Sequence, residues 1–266
     1  MTYQIDHDFH IHTRLSVCSQ DEGQTPASIM EYAKRENLRT VCITDHYWDE
    51  VVPCNTAVNF WYERQGTAHI KESLPLPTDP QVRMLFGCEA DMDSDNVIGL
   101  SPEKYNDFDF IIVSTTHFHH MGGPKWENMS NQDVANHWVE RMDAVLDSDL
   151  PFHKTGIAHL TCYLINMRSR EDYLETLQLI PQSELERVFT KAAACGIGIE
   201  LNADEMLFDE SEMDTIMRVY RTAKACGCKF YLGSDAHERD AFLGVKEKFQ
   251  RAIQLLDLQE SDKFRV

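Results

Sequence analysis

The chain has 266 residues, 25 Lys plus Arg against 44 Asp plus Glu, a formal charge of −19 and 42% hydrophobic residues. That composition supports a packed core, excludes a disordered chain and fits one large domain or two small ones. No apolar run reaches the roughly 18 residues of a membrane span, residues 1–20 lack a signal-peptide layout, and the acidic excess repels phosphate backbones, so a cytoplasmic protein binding neither membrane nor long nucleic acid is expected.

Seven β-rich runs alternate with stretches of helical period. The first covers residues 4–12, and Thr25-Pro26 opens a helix that extends to Asn37. Runs at 40–45 and 83–89 flank a long connection, residues 49–80, with four prolines (Pro53, Pro75, Pro77, Pro80) and an aromatic knot (Phe60, Trp61, Tyr62). Such an insertion reads either as a lid over a site or as a peripheral helical decoration. Run four, 109–115, precedes a helix over 133–145 with Val134, Trp138, Met142 and Val145 on one face. After run five, 155–159, Ser183 and Glu186 suggest a capping box for a helix closed by Gly196. Run six, 196–202, a helix over 211–227, run seven, 229–235, and a helix from Leu243 bearing Val245, Phe249, Ile253 and Leu256 complete the chain. This alternation predicts a parallel sheet wound with helices, and with no linker or repeat to divide it, one domain over 1–266. The eight cysteines contain no CxxC pair; Cys42 and Cys88 read as small buried hydrophobes, and no disulfide framework is expected.

Polar residues of the metal-binding types fall at the C-terminal ends of these runs: His10 and His12, Asp45 and His46, Glu89, His117, His159, Glu200 and Asn202, then Asp235 and His237. In a parallel β/α barrel those ends converge on one face. His10 and His12 are two apart on one strand and leave it from the same side. Imidazole and carboxylate suit zinc, manganese or iron, and a carboxylate such as Glu89 can bridge two ions. His7, His69, His137 and His153 lie outside this pattern and read as surface or packing residues, while His119 and His120 follow run four and read as substrate contacts.

Six segments, taken in order, resemble the polymerase and histidinol phosphatase (PHP) family over essentially the whole chain. They are Asp8-Phe9-His10-Ile11-His12-Thr13, Thr44-Asp45-His46, Gly87-Cys88-Glu89, residues 114–118, Ile157-Ala158-His159 and Gly233-Ser234-Asp235-Ala236-His237. The resemblance implies a distorted seven-stranded (β/α)7 barrel of the TIM-barrel type, two or three divalent metal ions and phosphoester hydrolysis, with Glu89, His117, Asp235 and His237 as catalytic residues. It assigns His10, His12, Glu89 and Asp235 to one ion and Glu89, His117 and His159 to a second. His46 and His237 would help hold a third. Cys18 stands six residues after His12, where family members commonly place His or Asp. As a thiolate it would bind zinc and alter metal preference. Asp21 on the same loop is the alternative ligand, and an ordinary loop cysteine beside a two-ion centre is the other reading. Leu160 stands where many members have proline.

Clustered divalent ions lower the pKa of a coordinated water from 15.7 toward about 7 and clamp the oxygens of an in-line displacement. No serine or cysteine nucleophile is then needed, and no GxSxG or P-loop pattern occurs. Arg14, Lys125, Arg168 and Arg239 lie just past strand ends as candidate phosphate grips, whereas Lys154 precedes its strand and faces the far end. Asp45 either orients a neighbouring histidine or caps the following loop. The expected function is hydrolysis of a small phosphorylated metabolite, a histidinol-phosphate-like monoester, by a hydroxide generated on metal. The alternatives are a phosphodiesterase or 3′ exonuclease on nucleotides, disfavoured by the charge of −19, and a catalytically silent metal-binding regulatory domain.

Overall fold

The computed structural model describes residues 1–55, 64–120 and 128–266. All seven expected runs form strands of one parallel sheet: β1 (His7–Ile11), β2 (Thr40–Ile43), β4 (Arg83–Ala90), β5 (Phe110–Ser114), β6 (Thr155–Ala158), β7 (Gly198–Asn202) and β8 (Lys229–Gly233). A two-residue strand, β3 (His46–Tyr47), was not foreseen; it pairs with the end of β4, His46 opposite Glu89. The strand order is β1-β2-β4-β5-β6-β7-β8, with β3 off this path.

The sheet curls until β8 meets β1, and side chains carry much of that seam. Leu232 N donates to His7 Nε2 at 3.1 Å, Ser234 N to Asp8 Oδ1 at 2.9 Å, and Asp235 N to His10 O at 2.7 Å. The result is a nearly closed seven-stranded parallel barrel wrapped by helices, the fold expected from the sequence. Every residue of β1, β5, β6 and β7 is buried, as when both faces of a parallel sheet are covered.

Alternation then decides what reaches the site. The interior is packed with Phe9, Cys42, Leu85, Phe110, Ile112, Ala158, Tyr231 and Phe264. Stepping two residues at a time from Leu85 through Gly87 arrives at Glu89, and from Tyr231 through Gly233 at Asp235. On β1 a register shift between Asp8 and Ile11 interrupts the alternation, so Phe9 stays in the interior while His10 and His12 both join the site.

Around the barrel run α1 (Pro26–Arg35), α2 (Asn131–Leu146), α3 (Arg170–Leu179), α4 (Gln182–Cys195), α5 (Met213–Ala225) and α6 (Val245–Leu255). Thr25 and Ser28 form a capping box at α1, and Ser130 and Asp133 form one at α2. The box expected from Ser183 and Glu186 does not form. α4 starts at Gln182 behind Pro181, which leaves Ser183 inside the first turn, although Gly196 closes the helix at φ 76° as expected. The sequence reading also missed α3, a short helix that buries only Tyr173, Thr176 and Leu177.

Of the insertion, Phe60, Trp61 and Tyr62 lie outside the described residues. Its described parts contact both ends of the barrel. Gln65 Oε1 accepts from Val17 N at 3.3 Å and His69 bonds Leu15 O at 2.7 Å, both near the site end, whereas residues 76–82 lie beside Arg39 and Arg83 at the opposite end. No helix among the described residues is long and apolar enough to cross a membrane, and all eight cysteines are free thiols.

Inside the barrel, Gly156 faces the Tyr231 ring so closely that an added Cβ would sit 2.4 Å from Cε1. Gly156→Ala should therefore lower stability by about 1–3 kcal/mol through overpacking. Urea unfolding checks this, and an unchanged midpoint would show that the interior is looser than described.

Candidate metal centre

The strand ends bring eight side chains into one buried cluster. His10 Nε2 and His12 Nε2 are 3.0 Å apart. Glu89 Oε2 lies 3.4 and 3.3 Å from them, and Asp235 Oδ1 lies 3.4 and 3.1 Å from them. The other Glu89 oxygen, Oε1, faces His159 Nε2 at 3.0 Å and His117 Nε2 at 3.9 Å. Each oxygen of Glu89 thus addresses a different histidine pair, which is the geometry of a bridging carboxylate. His237 stacks on His12 with ring centroids 3.9 Å apart, and His46 completes a third set with them. Among the described residues, four such groups hold three ligand atoms within 4.8 Å of one another: His12/His46/His237, His10/Glu89/His159, His10/His12/Asp235 and His46/Asp91/His117.

What turns the imidazoles inward is the grip on their outer nitrogens. His10 Nδ1 faces Glu200 Oε1 at 2.7 Å, and His117 Nδ1 faces Asp91 Oδ1 at 2.7 Å. A carboxylate only accepts, so both Nδ1 atoms carry the proton. His12 Nδ1 lies 2.8 Å from Ser16 Oγ, whose single proton goes to Asp45 Oδ1 at 2.7 Å. Ser16 must therefore accept from His12. His159 Nδ1 pairs with Thr116 Oγ1 at 2.6 Å, and His237 Nδ1 bonds the Asp235 carbonyl at 2.8 Å. With Nδ1 committed outward, His10 and His12 turn their Nε2 atoms toward each other across 3.0 Å, so positive charge belongs between them: a proton on His10 in the metal-free chain, which a bound ion would displace.

Three buried atoms support the same conclusion. Glu89 Oε2, Asp91 Oδ2 and His46 Nδ1 have no hydrogen-bond partner, and His46 Nδ1 lies 3.1 Å from Glu89 Oε2 and 3.3 Å from Asp91 Oδ2. Leaving a buried carboxylate oxygen unsatisfied costs about 1–3 kcal/mol or more, so the donor set fits divalent ions. Burial works against charge here, yet Asp235, Glu200 and Glu89 raise His10 well above the ordinary histidine range, and Glu89 with Asp91 does the same to His46. Glu89 in turn is held well below the usual carboxylate range by His46 and His10, despite its burial.

The cluster floors a cavity of about 260 Å³ lined by Cys18, His46, His117, His119, Leu164, Asp235 and His237. Cys18 reaches this cavity beside His46 and His237 but belongs to none of the four ligand groups. Burial and the neighbouring His117 push His119 down to about 3, so it presents a neutral imidazole.

Three of the four candidate phosphate grips are placed elsewhere. Arg239 is 58% exposed and forked onto Asp21 at 2.8 and 3.0 Å, which also occupies the alternative ligand Asp21. Arg168 ties loops together through Met129 O, Asn131 Oδ1 and Asn166 Oδ1, and Arg14 is 44% exposed, 3.8 Å from Glu22. Long cationic side chains choose partners through tertiary neighbours that sequence position does not reveal. Lys125 lies outside the described residues.

Asp45 orients His12 through Ser16, one of the two roles considered for it, and the loop it caps is the one after β1, not the one that follows it: it accepts from Thr13 N and Thr13 Oγ1 at 2.7 Å. Sequence reasoning missed Asp91 and gave Glu200 no role. Asp91 was legible, since it stands two residues after Glu89, just past the end of β4, where continued alternation puts it on the same side. Glu200 also accepts from His159 N at 2.6 Å, so one carboxyl serves candidate ligands on β1 and just past β6.

A parallel β/α barrel with a histidine–carboxylate centre at the C-terminal ends of its strands defines a class of metal-dependent hydrolases. Within that class, the PHP domain pattern matches residues 8–204, and the chain belongs to the PHP domain family of metal-dependent phosphoesterases. Asp235 and His237 lie beyond the matched segment. Among solved structures, the chain is similar to histidinol phosphate phosphatase (HisK) from Lactococcus lactis subsp. lactis Il1403, complexed with zinc, L-histidinol and phosphate. The TM-score is 0.56 at 14% identity, covering 98% of this chain and 99% of that one. It is also similar to the putative histidinol phosphatase HisK from Listeria monocytogenes, with a TM-score of 0.55 at 12% identity, covering 88% of this chain and 96% of that one. At these identities the likeness is one of fold. No curated protein sequence matches the chain.

The electrostatics predict how ions and protons compete. Burial would lower His159, but the Glu89 carboxylate outweighs it and lifts the imidazole to about 9. This folded value exceeds the unfolded value near 6.5, so the protonated imidazole stabilises the metal-free protein fully below about pH 6.5, and that stability is lost as pH rises through about 9. An ion must displace the proton. Metal binding near pH 7 should release protons and tighten toward pH 9, as calorimetry in buffers of different ionisation enthalpy would show. Affinity that is flat or falling over that range, without proton release, would contradict the assignment.

Proposed function

We propose that this chain hydrolyses a small phosphomonoester with the help of two or three divalent ions, zinc, manganese or iron. The observation that carries the proposal is Glu89, one oxygen toward His10 and His12 and the other toward His159 and His117. One ion would be held by His10, His12, Glu89 and Asp235, a second by Glu89, His117 and His159, and a third by His46 and His237 with His12 adjacent. Such ions supply a hydroxide nucleophile near neutral pH and neutralise the phosphoryl oxygens.

The chain's own residues do the rest. Glu200, Asp91 and the Ser16–Asp45 pair keep His10, His117 and His12 in one tautomer, so no imidazole has to reorient when substrate enters. Asp235 and His237, with side chains 24% and 26% exposed, are the open members of the cluster and face the incoming ester. His119 and Leu164 form the wall against which the leaving group rests.

A cavity of about 260 Å³ suits a metabolite better than a polymer, and a charge of −19 disfavours a long nucleic-acid track. Histidinol phosphate is the first substrate to try, because the structurally similar Lactococcus protein carries histidinol and phosphate. Eight free thiols suit a reducing cytoplasm. Cys18 at the cavity wall tunes the third ion position.

The experiment is a screen of metal-reconstituted protein against phosphorylated metabolites, with ion counting on two variants. Glu89→Gln should lower kcat more than about 100-fold while the protein stays folded, because it removes the shared ligand charge. Cys18→Asp should move preference from zinc toward manganese. Unchanged kcat at wild-type ion content in the first, or an unaltered metal preference in the second, would refute the respective role.

A further inference from the structure

The turn after β6 delivers His159 in an unusual backbone state. Its φ is 28°, in the left-handed region that residues with a Cβ seldom enter, and such a conformation persists only where its surroundings over-determine it. Two restraints are direct, His159 N to Glu200 Oε2 at 2.6 Å and Cys162 N to His159 O at 3.1 Å. A further set acts two residues on, at Thr161.

All three polar groups of Thr161 are held. Its N–H donates to Glu205 Oε1, its Oγ1 to the Tyr220 hydroxyl at 3.5 Å, and its carbonyl accepts from the Tyr173 hydroxyl at 2.5 Å. The Tyr220 hydroxyl donates in turn to Glu205 Oε2, which closes the loop of bonds. Between His159 and Thr161, the Leu160 carbonyl accepts from Trp138 Nε1 at 3.0 Å. Glu205 is only 9% exposed and is not among the residues lining the cavity. Burying a carboxyl without a cationic partner is unfavourable, and burial pushes Glu205 up to about 7. What it receives in return is a fixed Thr161 amide.

We infer that Glu205 is a positioning residue, which through Thr161, Tyr220 and Tyr173 fixes the turn that presents His159 Nε2 to Glu89. It touches neither substrate nor ion. The inference rests on the proposed role of His159 as a ligand of the second ion.

The test compares Glu205→Ala, Glu205→Gln, Tyr220→Phe and His159→Ala in the full chain, loaded with cobalt and read by visible absorption and equilibrium ion counting. Glu205→Ala should bind one ion about 10- to 100-fold more weakly and change the cobalt absorption, with the far-ultraviolet circular dichroism of a folded barrel retained. Glu205→Gln should restore both, since its oxygen still accepts from Thr161 N and its amide donates to the Tyr220 hydroxyl. If Glu205→Ala fails to fold, Tyr220→Phe, which deletes one hydroxyl, should show a smaller weakening in the same direction. Wild-type affinity and spectrum in the folded variant, or a loss in Glu205→Gln equal to that in Glu205→Ala, would overturn the inference. If His159→Ala loses an ion while Glu205→Ala does not, only the role of Glu205 fails. If His159→Ala keeps every ion, the ligand reading itself fails.

Discussion

Two imidazole nitrogens 3.0 Å apart, each with its proton committed to the opposite side of its ring, constrain the rest of the centre. Neutral His10 and His12 repel in that geometry unless positive charge lies between them, and the Glu89 and Asp235 carboxylates beside them ask for the same charge. The Nδ1 partners of the histidines come from separate parts of the chain: Glu200 on β7, Asp91 just past β4, Ser16 in the loop after β1, and Thr116 just past β5. The barrel is therefore more than a support for the candidate ligands, since its strand ends and the loops after them also set the tautomers of His10, His12 and His117.

The local cost of this arrangement is visible in the backbone. His159 and Asp235, at the ends of β6 and β8, both have positive φ, 28° and 56°. Holding such residues costs on the order of 1–3 kcal/mol each, and the surrounding bonds offset that cost. Asp235 N is tied to His10 O at 2.7 Å across the barrel seam, so one of the bonds that close the sheet also places a candidate ligand. Divalent ions held here would let an acidic chain attract a phosphate that its overall field would repel.

Much of this was legible in the sequence because strand alternation is a strict rule. Apolar runs ending in His, Glu or Asp marked seven strands and placed their last residues on one face, and the structure brings those residues together. The shift in β1 that admits both His10 and His12 depends on pairing with β2, which a single run does not reveal. Glu200 was visible at a strand end, but its partners, His10 and the His159 amide, lie 190 and 41 residues away. Arg168 and Arg239 looked like phosphate grips from their positions, yet nearby carbonyls, Asn131, Asn166 and Asp21 take their guanidinium groups. α3 buries only Tyr173, Thr176 and Leu177, too few apolar residues to carry a clear helical period.

The central claim is that the inward Nε2 atoms are a preformed set of metal ligands bridged by Glu89. Anomalous diffraction from crystals grown with zinc or manganese, recorded on either side of the absorption edge, tests it most directly. Peaks are expected about 2.0–2.2 Å from Nε2 of His10, His12 and His159 and from both oxygens of Glu89, with Nδ1 of these three histidines still on its present partner. An absence of ions from the cluster, or ions bound through Nδ1 of His10 or His12 with their contacts to Glu200 and Ser16 broken, would contradict it.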